Sequence, residues 1–203
     1  MSKLLPEVQA FAERLELSNI SAERKNILCQ LINFIQEKVN KQEDIKLNFI
    51  CTHNSRRSQL CQVWAQAAAI YFGIEGVSTF SGGTEVTAFH PNAVKALESS
   101  GVIIRRKDDG PNPLYYIRVS ENVDPMTCFS KVYHDNISPY AAVMTCSDAE
   151  TNCPYIPEAE ARLAVKYEDP KKSDGTPQEV QTYAERSRQI ASEMFYVFSK
   201  IKK

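Results

Sequence analysis

The hydrophobic pattern changes its period twice between Ile45 and Tyr71, and that double change limits the possible fold more than any other feature of the chain. Ile45, Leu47, Phe49 and Cys51 fall at every second position, the mark of a strand. From Ser58 onward Leu60, Val63, Trp64, Ala67, Ala68 and Tyr71 recur at helical spacing. The unit therefore reads strand, loop, helix. "GVSTFSGGT" predicts a second strand entering a glycine-bearing turn, "HPNAVKALESSG" a helix opened by Pro91 and closed by Gly101, and "VIIRR" a third strand. Such alternation predicts an α/β fold, with a parallel sheet carrying helices on its faces.

On either side of this unit the pattern is simpler. Residues 1–44 predict a helical extension: Leu4, Leu5, Val8, Phe11, Ala12 and Leu15 mark one amphipathic helix, and Ile27, Leu28, Leu31, Ile32, Ile35 and Val39 a second. "SNISAER" is the break between them and "NKQED", residues 40–44, the linker to a main domain over residues 45–203. Beyond the loop "KDDGPNP", "LYYIRVS" and "TCFSKVY" predict strands, "AAVMTC" a buried central strand, and residues 177–201 a long helix.

Composition removes several classes of function. At 203 residues, with 43% hydrophobic and 24% charged residues and a formal net charge of -1, the chain is an ordinary globular one. It has no apolar run of membrane-spanning length and no basic block for nucleic acid. Met1 to Pro6 carry no apolar signal core, which predicts a cytoplasmic location where thiols stay reduced. The six cysteines are then candidates for chemistry before they are candidates for staples.

The segment "NFICTHNSRRSQL", residues 48–60, places one of them where chemistry is easiest. A loop that leaves a parallel strand and enters a helix aims several backbone N–H groups at one point, and the helix adds partial positive charge there. An anion fits that point, and the same field favours Cys51 as a thiolate nucleophile. Arg57 can fold its planar fork over a bound oxyanion and hold two oxygens at once. Ser58 can donate a hydrogen bond to the sulfur, and Asn54 suits a left-handed backbone or a side-chain tie within the loop. His53 lines the mouth or caps the turn, with no catalytic role assigned.

"CTHNSRRS" resembles the Cys-x5-Arg-Ser loop of the low-molecular-weight protein tyrosine phosphatase superfamily, which includes the thioredoxin-coupled arsenate reductases. "SGGTE" resembles the family's Ser-Ala-Gly-Thr turn, and "HPNAVKALESSGV" the helix that follows it. The resemblance covers roughly residues 45–200. It implies a three-layer α/β/α fold with a mainly parallel four-stranded sheet, in which Thr52, His53, Asn54, Ser55, Arg56, Arg57 and Ser58 surround the oxyanion. Much of the family carries a cysteine just before the loop arginine; here Arg56 stands there, adding charge at the mouth and removing a thiol.

"VMTCSDAETNCP" sets Cys146 and Cys153 seven positions apart, too far for a Cys-x2-Cys redox motif and short of ligands for a metal. By spacing alone two ordinary cysteines are the simpler reading. The segment is nevertheless similar to the thioredoxin-coupled arsenate reductases, which have the same Cys-x6-Cys spacing followed by proline. That resemblance implies a relay: Cys51 attacks arsenic, Cys146 attacks Cys51, and Cys153 attacks Cys146 to present a disulfide to thioredoxin or a similar thiol reductant. Such a relay requires a moving loop, and the polar "SDAETN" suits one.

Asp169 in "VKYEDPKK" resembles the family's late Asp-Pro, whose aspartate is the general acid. Lys171 and Lys172 follow it, where tyrosine phosphatases often carry aromatic residues, which favours a small inorganic oxyanion. Cys29, Cys61 and Cys128 read as core residues; His90 and His134 as turn or surface histidines; Asp148 and Glu168 as solvated. Two activities follow: reduction of arsenate through Cys51, Cys146 and Cys153 with Arg57 and Asp169, or, as the alternative, hydrolysis of phosphotyrosine through Cys51, Arg57 and Asp169 alone. Neither needs a cofactor or a metal.

Overall fold

The computed structural model describes residues 3–133, 139–152, 156–157 and 159–203. Helices α1 (Pro6–Glu13) and α2 (Ala22–Lys41) precede strand β1 (Ile45–Cys51), helix α3 (Arg57–Phe72), strand β2 (Val77–Gly83) and helix α4 (Pro91–Glu98). Strands β3 (Ile103–Arg106), β4 (Tyr115–Arg118) and β5 (Met126–Cys128) follow. The chain then forms β6 (Tyr140–Met144), α5 (Ser147–Asn152), β7 (Ala159–Ala164) and α6 (Glu179–Ser199). Among the described residues no helix is long and apolar enough to cross a membrane.

β1 lies inside a parallel four-stranded sheet of order β2-β1-β6-β7. It pairs with β2 from Ile45↔Val77 to Cys51↔Gly83 and with β6 from Leu47↔Ala141 to Ile50↔Met144. Side-chain alternation divides the core between the two faces. Leu47, Phe49, Ala141 and Val143 join the larger cluster with Trp64, Phe195 and Phe198 from α3 and α6. Ile50, Tyr140, Ala142 and Met144 join a smaller one with Ala149 of α5 and Ile156. The result is the expected three-layer α/β/α fold.

Three elements depart from the sequence reading. "VIIRR" is a strand, but β3 belongs to a separate antiparallel sheet, β3-β4-β5, whose register runs from Ile103↔Arg118 to Arg106↔Tyr115. "TCFSKVY" belongs to β5 only as far as Cys128, after which Val132 makes an isolated parallel bridge to Gly83. The fourth parallel strand, β7, is "AEARLA", which shows no alternation of large apolar residues because it is an edge strand with Glu160 and Arg162.

The N-terminal helices form where expected. α1 begins at Pro6, which suits the first helical position, so Leu4 instead bridges to Ser120. Ser21 caps α2, its Oγ accepting from the Arg24 N–H at 3.1 Å, and Gln42 ends it in the left-handed region at φ +56°. Leu28, Leu31 and Ile35 are fully buried in the same cluster as Leu47 and Phe49, and Phe11 stacks on Trp64 at 5.0 Å. The extension and the sheet thus share one core. Leu31→Ala should lower stability by about 2–5 kcal/mol in urea unfolding, as a single shifted transition; a change under about 1 kcal/mol would contradict the shared core.

Candidate active site

At the carboxyl end of β1 the chain curls from Cys51 through Arg56 before α3 begins. The carbonyls of the curl are turned outward and taken by its surroundings. Thr52 O accepts from the Glu85 N–H at 2.9 Å, and His53 O accepts from Ser130 Oγ at 2.8 Å. Asn54 O accepts from Gln59 Nε2 at 3.0 Å, and Ser55 O from the His90 N–H at 2.9 Å. The N–H groups of His53, Asn54, Ser55 and Arg56 find no acceptor among the described residues. Carbonyls taken up by the surroundings, with amides that have no acceptor, leave a run of donors suited to an anion.

Asn54 sets this shape. It lies at φ +44°, a conformation asparagine tolerates, and its side chain ties three parts together. Its Nδ2 donates to Ser58 Oγ at 2.9 Å, while its Oδ1 accepts from the Lys131 N–H at 3.0 Å and from Gln59 Nε2 at 3.2 Å. Ser58 Oγ lies 3.1 Å from Cys51 Sγ. Since that hydroxyl accepts from Asn54, its own hydrogen is available to the sulfur, as expected from the loop sequence.

Arg57 is held at the rim by Nη1 donating to Tyr167 O at 3.0 Å and Nη2 to Asp169 Oδ2 at 2.5 Å. Its Nε is buried with no hydrogen-bond partner among the described residues, a donor left for an incoming group. The structure therefore brings Cys51, Arg57, Ser58 and Asp169 together. Asp169 also caps the turn Pro170–Ser173 by accepting from the Lys171 N–H at 3.1 Å. The Arg56 side chain, expected to add charge at the mouth, is engaged by later parts of the chain. Its Nε donates to Tyr183 Oη at 2.6 Å and its Nη2 to Asp174 at 3.0 Å, and Tyr183 stacks on His90. Burial and the Arg56 charge push the His90 imidazole below its usual range, and His90 caps α4 through Nδ1.

Cys146 follows β6 and is buried beside the loop: Thr52 Oγ1 lies 3.6 Å from its sulfur, which accepts the Ala149 N–H at 3.3 Å. The expected mobile linker "SDAETN" is instead the short helix α5, whose first turn supplies that N–H. Cys153 and His134 lie outside the described residues. Of the other cysteines, Cys61 and Cys128 are buried as expected, and desolvation raises both thiols, Cys128 to about 12. Both stay protonated at neutral pH. Cys29 is exposed, a correction: the apolar stripe of α2 runs through Leu28 and Leu31 and leaves position 29 outside it.

Two contributors escaped the sequence reading. Gly83 admits the loop: a Cβ there would lie 2.6 Å from Thr52 O and 2.7 Å from Asn54 N. Its place in "SGGT" is the signal that could have found it. Residues 129–131 tie the loop from outside, Phe129 O accepting from Gln59 Nε2 at 2.9 Å beside the Ser130 and Lys131 contacts, and no local pattern marks them.

No family model matches the chain. An arsenate reductase of Bacillus subtilis is 30% identical over 141 residues, covering 69% of this chain and 84% of the relative. One of Bacillus licheniformis is 29% identical over 151 residues, covering 74% and 92%. Among solved structures, a low-molecular-weight protein tyrosine phosphatase from T. tengcongensis superposes with a TM-score of 0.53 at 16% identity, covering 78% of this chain and all of that one. An arsenate reductase in the oxidized state gives 0.50 at 19% identity, covering 77% and 98%. The chain belongs to the arsenate reductase family, built on the fold of the low-molecular-weight protein tyrosine phosphatases.

Proposed function

We propose that the protein reduces arsenate to arsenite through Cys51, Cys146 and Cys153. The Cys51 thiolate attacks arsenic(V) held by the loop amides and Arg57, and one arsenate oxygen departs as water with a proton from Asp169. Cys146 then attacks the Cys51 sulfur. The sulfur–arsenic bond breaks with its electron pair on arsenic, which leaves as arsenite, arsenic(III), and a Cys51–Cys146 disulfide remains. Once α5, which separates the two thiols, unwinds, Cys153 attacks Cys146, frees Cys51 and forms the Cys146–Cys153 disulfide, which an external dithiol of the thioredoxin type reduces with two electrons. A cycle closed by such a donor fits the reducing cytoplasm.

The observation that carries this reading is the second thiol at the first thiol's loop. A hydrolase needs only Cys51, yet Cys146 lies against Thr52, the residue after the nucleophile, with its sulfur accepting an amide hydrogen bond. Burial suits a thiol that waits for a neighbouring sulfur better than one that meets solvent. The part of Cys153 rests on the Cys-x6-Cys-Pro spacing. Lys172, which pairs with Glu168 after the Asp-Pro, leaves no aromatic grip for a phenolic ester at that point.

Arsenate turnover with thioredoxin, thioredoxin reductase and NADPH should fall by about 100-fold or more in Cys153→Ser, while any aryl phosphate hydrolysis changes less than about twofold, since hydrolysis ends before that thiol acts. Sustained arsenate turnover by the variant would refute the relay. Gly83→Ala should weaken inorganic phosphate binding by about tenfold or more in calorimetry, because the new methyl meets backbone atoms of the loop and overpacking costs about 1–3 kcal/mol. Unchanged affinity would place the anion elsewhere.

A further inference from the structure

We propose that the N-terminal helix α2 takes part in the reaction through Arg24, a positioning residue that holds the general-acid segment against Arg57. This rests on the reading of Asp169 as the acid.

Arg24 crosses from α2 to α6, its Nε donating to Glu193 Oε1 at 2.9 Å and its Nη2 to Oε2 at 2.7 Å. Glu193 is only 2% exposed, so the fork is fixed from both sides of a desolvated pair, with Gln189 Nε2 adding a third donor at 3.0 Å. The Cζ of the same guanidinium lies over the Tyr167 ring, 4.7 Å from its centroid. Tyr167 is buried, and its main chain faces the active site: its N–H donates to Thr145 O at 3.1 Å, and its carbonyl accepts from Arg57 Nη1 at 3.0 Å. Asp169, two residues on, closes the ring by accepting from Arg57 Nη2.

The start of this segment is pinned by the same helix. Gln30 donates from Nε2 to Ala164 O at 2.9 Å and accepts the Ala164 N–H at Oε1 at 3.1 Å, an amide acting as one more partner for edge strand β7. Backbone bonds fix residues 164 to 169 beside β6, Val165 N–H donating to Met144 O at 2.9 Å and Tyr167 N–H to Thr145 O. To these are added side chains, Gln30 at one end, Arg24 at the middle and Arg57 at the far end, and α2 supplies the first two. An arginine fixed by two bonds to Glu193 and set over the ring restrains where Tyr167 lies, which a lysine with a single mobile ammonium does less well. Misplacing a proton donor by a fraction of a bond length slows the step it assists while leaving oxyanion binding to the loop intact.

The test is single-turnover arsenite release from the reduced full-length chain, read as a maximal rate and an arsenate half-saturation. Arg24→Met combined with Glu193→Gln, which avoids an unpaired buried carboxylate, should lower the maximal rate about tenfold with half-saturation unchanged within twofold. Arg24→Lys, which keeps a charge opposite Glu193 and so keeps the fold, should give a smaller loss of the same kind. In an Asp169→Asn background, where the acid is already gone, neither change should slow the reaction further. An undiminished rate, a loss confined to half-saturation, or an equal proportional loss in the Asp169→Asn background would overturn the proposal. A wild-type chain that releases no arsenite overturns the reading of the reaction, and this proposal with it.

Discussion

The flush alignment of β1 and β6 is the constraint on which the site depends. Thr145 donates its N–H to Ile50 O at 2.8 Å and its hydroxyl to the same carbonyl at 2.9 Å, so the two strands end side by side. Cys51, the last residue of β1, and Cys146, two residues past β6, emerge from the same sheet end. In a parallel sheet the carboxyl ends of neighbouring strands form the natural crevice for ligands. Here that geometry delivers two thiols as well as an anion cradle. A slip of one residue would send Cys146 to the other face.

The cradle is preformed rather than gathered by ligand. Asn54 supplies the one left-handed turn in the loop and spends both ends of its amide on Ser58, Gln59 and Lys131. Neighbouring segments take the loop carbonyls, and Gly83 leaves the space the curl occupies. The curl is thus held by the chain's own bonds, so that an oxyanion bound there as proposed would leave little ordering to be done. Arg57 is the adjustable member, since its rim contacts to Tyr167 O and Asp169 are ones an oxyanion can share or replace.

Much of this was legible because it is local. The period change at Ile45 and again at Ser58 marks the strand, loop and helix, and a cysteine at a strand's end with arginine and serine at the helix start identifies the cradle. What escaped is decided at a distance. Arg56 reads as charge at the mouth, but its partners Tyr183 and Asp174 lie more than a hundred residues later and no local pattern marks them. β7 is an edge strand of alternating charge and alanine, so its pairing with β6 rather than its own pattern makes it a strand. α5 reads as a polar linker because six small or polar residues carry no hydrophobic stripe. The packing of the N-terminal helices, by contrast, follows from their apolar stripe, which enters the core shared with β1.

The central claim is that Cys51 and Cys146 react directly with one another. Peptide mass spectrometry of Cys153→Ser, quenched by acid after arsenate is added without reductant, tests it most directly. The account predicts a disulfide-linked pair of peptides carrying Cys51 and Cys146, formed in step with arsenite. Arsenite released with no such bridge, or a bridge from Cys51 to any other cysteine, would contradict it.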